Sequence, residues 1–121
     1  GIINASNSTQ HVIGFPAIKG SGDLLKDVMC WTNYKYFKFI NTYSYGGYAK
    51  VSKELIDFIY EFHKTQDIPL DAVYTGKMLM GILDLVSKDY FSKGSSILAL
   101  HTGGLHGNKG MSERLGIKLP S

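Results

Sequence analysis

The chain has 121 residues and a mass of 13.4 kDa, the length of a single domain or of part of a larger one. Hydrophobic residues make up 44% and charged residues 19%, which excludes a disordered chain, and no apolar run approaches the roughly 20 residues of a membrane-spanning helix. Thirteen basic and ten acidic residues leave a net charge of +3, too small and too dispersed for a nucleic-acid-binding stripe.

The opening Gly1-Ile2-Ile3-Asn4-Ala5-Ser6 lacks the basic and long apolar regions of a secretory leader, so the sequons at Asn4 and Asn7 read as chance. It also lacks a starting Met, and a trimmed piece of a longer protein is expected. His11 to Phe15 reads as a short strand closed by Pro16. Leu24, Leu25, Val28 and Met29 then recur at helical spacing, with Ser21 or Asp23 as the cap. The single cysteine, Cys30, falls on the apolar side of that helix and is expected to be a buried, inert thiol; with no second thiol, a reducing cytoplasm fits.

Tyr36 to Tyr43, rich in aromatic and β-branched residues, predicts a second strand, and Tyr43 to Tyr48 with its paired glycines predicts a turn. A helix follows from Ser52 to about Gln66, with Leu55, Ile56, Ile59, Phe62 and His63 on one face. Another follows Gly76, with Leu79, Ile82, Leu83 and Val86 as its apolar stripe and Thr75 at or beside its N-cap. Ser96 to Leu100 reads as a strand buried on both faces, and the tail beyond Asn108 as loop and a short terminal turn. Strands alternating with helices predict an α/β fold with a mostly parallel sheet and helices on its faces. In such sheets ligands sit beyond the carboxyl ends of the strands, which singles out His101 to Gly104.

Thr102-Gly103-Gly104 offers a hydroxyl and free backbone amides, or is simply a turn that needs glycine. It is no phosphate-binding loop of the Walker type, because Lys109 is preceded by Asn108 rather than glycine and no convincing helix follows. Pro69 to Lys77 places Tyr74 and Thr75 just before a strong helix, where they are either rigid catalytic groups or a half-buried Tyr beside a capping Thr. Tyr48 carries the same ambiguity. The four histidines have no acidic partners at ligand spacing, so no metal site is expected, and no Gly-x-Ser-x-Gly elbow supports a serine hydrolase.

Asp71-Ala72-Val73-Tyr74-Thr75-Gly76-Lys77 closely resembles the Asp-Pro-Val-Tyr-x-Gly-Lys motif of pyridoxal-phosphate enzymes of fold type II. The branch is that of 1-aminocyclopropane-1-carboxylate deaminase and D-cysteine desulfhydrase. His101-Thr102-Gly103-Gly104 is similar to its His-Thr-Gly-Gly loop, and Gly46 to Lys50 and His11 to Phe15 are similar to preceding family segments, in order. The resemblance implies the C-terminal portion of a tryptophan-synthase-β-like large domain over residues 1–121. The N-terminal part would carry the phosphate cup and the lysine that attaches the cofactor, and no lysine here, Lys77 included, matches that position.

The resemblance further implies pyridoxal phosphate as the parent's cofactor and a small amino acid as its substrate. It makes Tyr74 and Tyr48 catalytic, the second less securely. Thr102, Gly103 and Thr75 become cofactor-binding, with the Thr102 hydroxyl on the pyridine nitrogen. True cyclopropane deaminases carry Glu after the Tyr, where this sequence has Thr75. A neutral group there makes the ring a weaker electron sink, which favours β-elimination from D-cysteine over ring opening. The chain alone is expected to be inactive, and to self-associate or to pair with the missing N-terminal part. Two other readings stay open: a non-catalytic binding or oligomerisation module, and a small nucleotide binder on the Gly103 loop.

Overall fold

In a computed structural model, the structure describes residues 1–18, 22–33 and 36–121. A one-turn helix α1 (Ile2–Ala5) precedes strand β1 (Val12–Gly14), helix α2 (Gly22–Trp31) and strand β2 (Phe37–Phe39). The two strands pair in parallel, Val12 opposite Phe37 and Gly14 opposite Phe39. A parallel pair needs a long crossover, and α2 supplies it. Glycine is required at position 14, where a Cβ would stand 2.5 Å from the Phe39 ring.

This is the expected α/β alternation on a smaller scale than a full doubly covered sheet. The second strand stops at Phe39, because Asn41–Ser44 turns into a 3₁₀ segment rather than continuing extended to Tyr43. Ser96 to Leu100, expected as a buried strand, is neither paired nor buried: Leu98 is 82% exposed. Such a strand needs neighbours on both edges, and the described residues pair only β1 with β2.

Helix α3 (Lys53–Gln66) forms where the periodicity placed it. The Ser52 Oγ accepts from the Leu55 N–H at 3.2 Å, an N-cap worth about 1 kcal/mol. Asp67, in the left-handed region, ends the helix by donating its N–H to the His63 carbonyl. Leu55 and Ile59 are fully buried, and Ile56, Phe62 and His63 flank them half-buried, as the apolar face required.

Helix α4 (Thr75–Ser87) presents a different face from the expected one. Gly81 and Leu85 are buried, whereas Leu83 and Val86 are nearly half exposed. Close approach decides this: Gly81 lets Phe15 and Tyr43 reach within 3 Å of where a Cβ would be, docking the strand region on that side. A last helix, α5 (His106–Leu115), occupies the stretch read as loop and tail.

The core is therefore helical. Leu55 and Ile59 of α3 meet Leu70, Ala72, Met111 of α5 and Leu119 of the tail. Fully burying each large aliphatic side chain is worth roughly 1.5–3 kcal/mol, so this cluster carries the unit. Helix α2 buries nothing, with Met29 61% and Trp31 82% exposed. Cys30 is accordingly exposed rather than buried, since nothing among the described residues covers the helix's apolar side. Of its two expected caps, Ser21 lies outside the described residues, and Asp23 sits in the first turn.

Candidate functional site

Three backbone turns converge on one end of α4. The first is the glycine turn after the 3₁₀ segment. Tyr45, Gly46, Gly47 and Ala49 all have positive φ, from 48° to 115°, so glycine is needed at the two widest values. The turn leaves Tyr48 on the surface, 61% exposed.

The second turn is built on Asp71. Its carboxylate accepts the N–H groups of Val73, Tyr74 and Thr75 at 2.7–2.9 Å, and the Thr75 hydroxyl at 2.6 Å. Those bonds satisfy the donors that open α4, while the N-cap residue Tyr74 makes no side-chain cap of its own. Tyr74 is thus held rigidly at the helix start and is 51% exposed. Its ring centroid lies 6.2 Å from that of Tyr48, with the planes inclined at 59°. The Tyr48 hydroxyl, then partial burial and the nearby Asp71 charge, raise the Tyr74 phenol above its ordinary value.

The third turn is His101 to Gly104. His101 accepts the Gly103 N–H on Nδ1 at 3.1 Å, so its Nε2 is the donor to the Pro69 carbonyl at 2.9 Å. Gly103 and Gly104 have φ of +89° and +92°, and a Cβ on Gly104 would meet the Asp71 carboxylate at 3.2 Å. The loop therefore lies directly against the turn that carries Tyr74. Thr102 is exposed there, and the space beside Gly103 is open.

Helix α5, in the stretch whose composition predicts loop, secures this loop. Asn108, 1% exposed, donates to the carbonyls of Leu70 at 2.9 Å and Pro120 at 2.7 Å and accepts from the Ala72 N–H at 3.2 Å. One side chain thereby ties the loop's helix to the residues flanking Asp71. Gly107 and Gly110 hide the helix from a propensity reading. Asp71 and Asn108 were not singled out from sequence; Asp71 could have been, because Asp followed by a helix start is a common capping arrangement.

Four of the five candidate site residues, Tyr48, Tyr74, Thr102 and Gly103, thus lie on turns that meet at the start of α4. The fifth, Thr75, is 2% exposed and spends its hydroxyl on Asp71, both donating to the carboxylate and accepting from the Asp71 N–H at 3.0 Å. Among the described residues no group of three or more His, Cys, Asp or Glu could hold a metal ion, and no helix is long and apolar enough to cross a membrane.

The described residues thus form an α/β unit with two exposed phenols, Tyr48 and Tyr74, at the start of α4. No protein-family model matches the chain. It is, however, 38% identical over 73 residues to a 1-aminocyclopropane-1-carboxylate deaminase of Bradyrhizobium sp. strain ORS 278, covering 60% of this chain and 22% of that protein. It is 37% identical over 73 residues to the deaminase of that name in Rhizobium radiobacter, with the same coverage. A provisionally named deaminase of Pyrococcus abyssi is 41% identical over 68 residues, 56% of this chain and 20% of that protein. The chain is therefore similar to the 1-aminocyclopropane-1-carboxylate deaminases over somewhat more than half its length, as its motifs indicate. The matched stretch spans about a fifth of the length of these relatives.

Proposed function

We propose that this chain is the C-terminal portion of the large domain of a fold type II pyridoxal-phosphate enzyme that deaminates a small amino acid. The observation that carries the reading is the pairing of Tyr48 and Tyr74 at 6.2 Å, from two motifs 26 positions apart in sequence, beside the Thr102–Gly103 loop. The residues fit the cofactor: Gly103 leaves room for a flat ring, and Thr102 offers a neutral hydroxyl to a ring nitrogen. When bound, pyridoxal phosphate supplies an electron sink for the substrate's α-carbon.

The chain's own groups then divide the work. Tyr74, whose phenol the Tyr48 hydroxyl raises above its ordinary value, holds a proton at Oη for delivery to the substrate. Tyr48 orients that phenol. Thr102 would offer its hydroxyl to the ring nitrogen as a neutral hydrogen-bond partner. The carboxylate of the motif, Asp71, is saturated by three backbone N–H groups and the Thr75 hydroxyl, so it serves the turn and not the ring.

A ring nitrogen met by the neutral Thr102 hydroxyl rather than by a carboxylate would favour loss of a good leaving group. We therefore favour β-elimination from D-cysteine, in which the Cα proton is lost, its electron pair forms a Cα–Cβ double bond, the Cβ–S bond breaks with its electrons on sulfur to release sulfide, and hydrolysis then yields ketoacid and ammonia. The names of the relatives favour cyclopropane ring opening instead. Assay of the full-length parent with both amino acids decides between them: sulfide and ketoacid from D-cysteine are expected, and ketoacid from the cyclopropane amino acid alone would overturn the preference. This chain mixed with pyridoxal phosphate is expected to show no lysine-linked absorbance band. The exposed Met29, Trp31 and Leu98 support association with a further segment that brings the lysine and phosphate cup.

A further inference from the structure

Lys77 is the largest fully buried side chain among the described residues, 2% exposed, and no carboxylate among them forms an ion pair with it. Its ammonium instead donates to two backbone carbonyls, Ser44 at 2.9 Å and Gly47 at 2.8 Å. Burying an ammonium is costly unless its donors are satisfied, so the group is held here by what it binds. Burial pushes its pKa down, against an opposing pull from Asp71.

The two carbonyls bracket the glycine turn. Tyr48 follows Gly47 directly, in the stretch where Tyr45, Gly46, Gly47 and Ala49 all have positive φ. For the non-glycine residues Tyr45 and Ala49 this left-handed backbone is costly and is held by its surroundings. At the other end, Lys77 lies three residues after Tyr74, one turn along the same helix. A single side chain thus spans from the backbone that carries one phenol to the backbone that carries the other. The stem of Lys77 rises from the helix turn that follows Tyr74, and its ammonium donates to the carbonyl of the peptide that precedes Tyr48.

We infer that Lys77 is a positioning residue: its ammonium clamps the Ser44 and Gly47 carbonyls and so sets Tyr48 against Tyr74. A hydrocarbon of the same length would fill the space without holding either carbonyl. The role rests on the reading of the tyrosine pair as active-site groups, but the clamp itself is open to a separate test.

The test is NMR of the labelled 121-residue chain and of Lys77→Met, which keeps the apolar stem. In the wild type, a Tyr48–Tyr74 inter-ring NOE and hydrogen-bond couplings from the Lys77 ammonium to the Ser44 and Gly47 carbonyl carbons are expected. In Lys77→Met the inter-ring NOE is lost while the helical circular dichroism of α3 and α4 is retained. Persistence of that NOE in a folded Lys77→Met overturns the clamp and leaves the proposed function standing. Should Lys77→Met fail to fold, the wild-type couplings decide, and their absence overturns the clamp. The same substitution in the full-length parent separates the two claims: loss of the NOE with turnover unchanged sinks the catalytic role of the tyrosine pair and leaves the clamp.

Discussion

Asp71 and Thr75 close a reciprocal ring: the Asp71 N–H donates to Thr75 Oγ1 at 3.0 Å, and that hydroxyl donates back to Asp71 Oδ2 at 2.6 Å. Both residues are at most 2% exposed. Thr75→Val keeps the shape but leaves the Asp71 N–H and one carboxylate lone pair without partners. It is expected to cost about 1–3 kcal/mol, with Thr75→Ser close to wild type. Urea unfolding midpoints check this, and an unchanged Thr75→Val midpoint would show that the ring contributes nothing.

Asn108 makes three hydrogen bonds from a buried position, and no apolar residue can replace them. Asn108→Leu strands the Ala72 N–H and the Leu70 and Pro120 carbonyls, with an expected loss of at least about 2 kcal/mol. Amide hydrogen exchange adds a local reading: the Gly103 and Ala72 N–H groups should lose protection together, because α5 holds both turns.

The glycines of the chain divide sharply by surroundings. In α5, Gly107 and Gly110 face open space, so Gly107→Ala and Gly110→Ala should each stabilise the protein by about 0.5–1 kcal/mol. Gly76→Ala is the opposite case, since its Cβ would stand 2.7 Å from the Asp71 carbonyl and 3.0 Å from Ile59. That variant is expected to be destabilised and to disturb Tyr74. Thermal midpoints of the three variants should therefore move in opposite directions.

Tyr43 donates to the Asp84 carboxylate at 2.6 Å, and the bond has two pH edges. The Lys88 ammonium first, and the Tyr43 hydroxyl second, hold Asp84 below its ordinary 3.8. Its stabilisation is present above that value and is lost as pH falls through the lower folded value. The same bond, followed by burial and the Asp84 charge, raises Tyr43 above its ordinary 10.0, so that contribution is present below 10.0 and lost as pH rises through the higher folded value. Unfolding midpoints against pH should therefore fall less steeply in acid for Asp84→Asn and in alkali for Tyr43→Phe than for the wild type.

Local chemistry is what the amino-acid order settled unaided. The 3.6-residue spacing of Leu55, Ile59 and Phe62 suffices for α3, and the paired Gly46 and Gly47 suffice for a turn, because each depends on neighbours in the chain. The tyrosine and glycine motifs were equally legible as residue types in order. What they could not reveal is which groups end up spent on one another. Thr75 turns its hydroxyl into Asp71, Lys77 reaches back across 30 residues to Gly47, and Asn108 reaches 38 residues to Leu70.

Misjudged stretches share one cause. Among the described residues, Ser96 to Leu100 is apolar but has no strand to pair with, and Cys30 lies on an apolar helix side that nothing covers. Helix α5 forms despite two glycines because Asn108 and Met111 are buried against the core. Periodicity records a preference for burial; only the packed chain supplies the surface that meets it. For this protein, sequence determined which side chains are available to a site, and tertiary structure decided that Tyr48 and Tyr74 stand together, because their turns are held by bonds between distant residues.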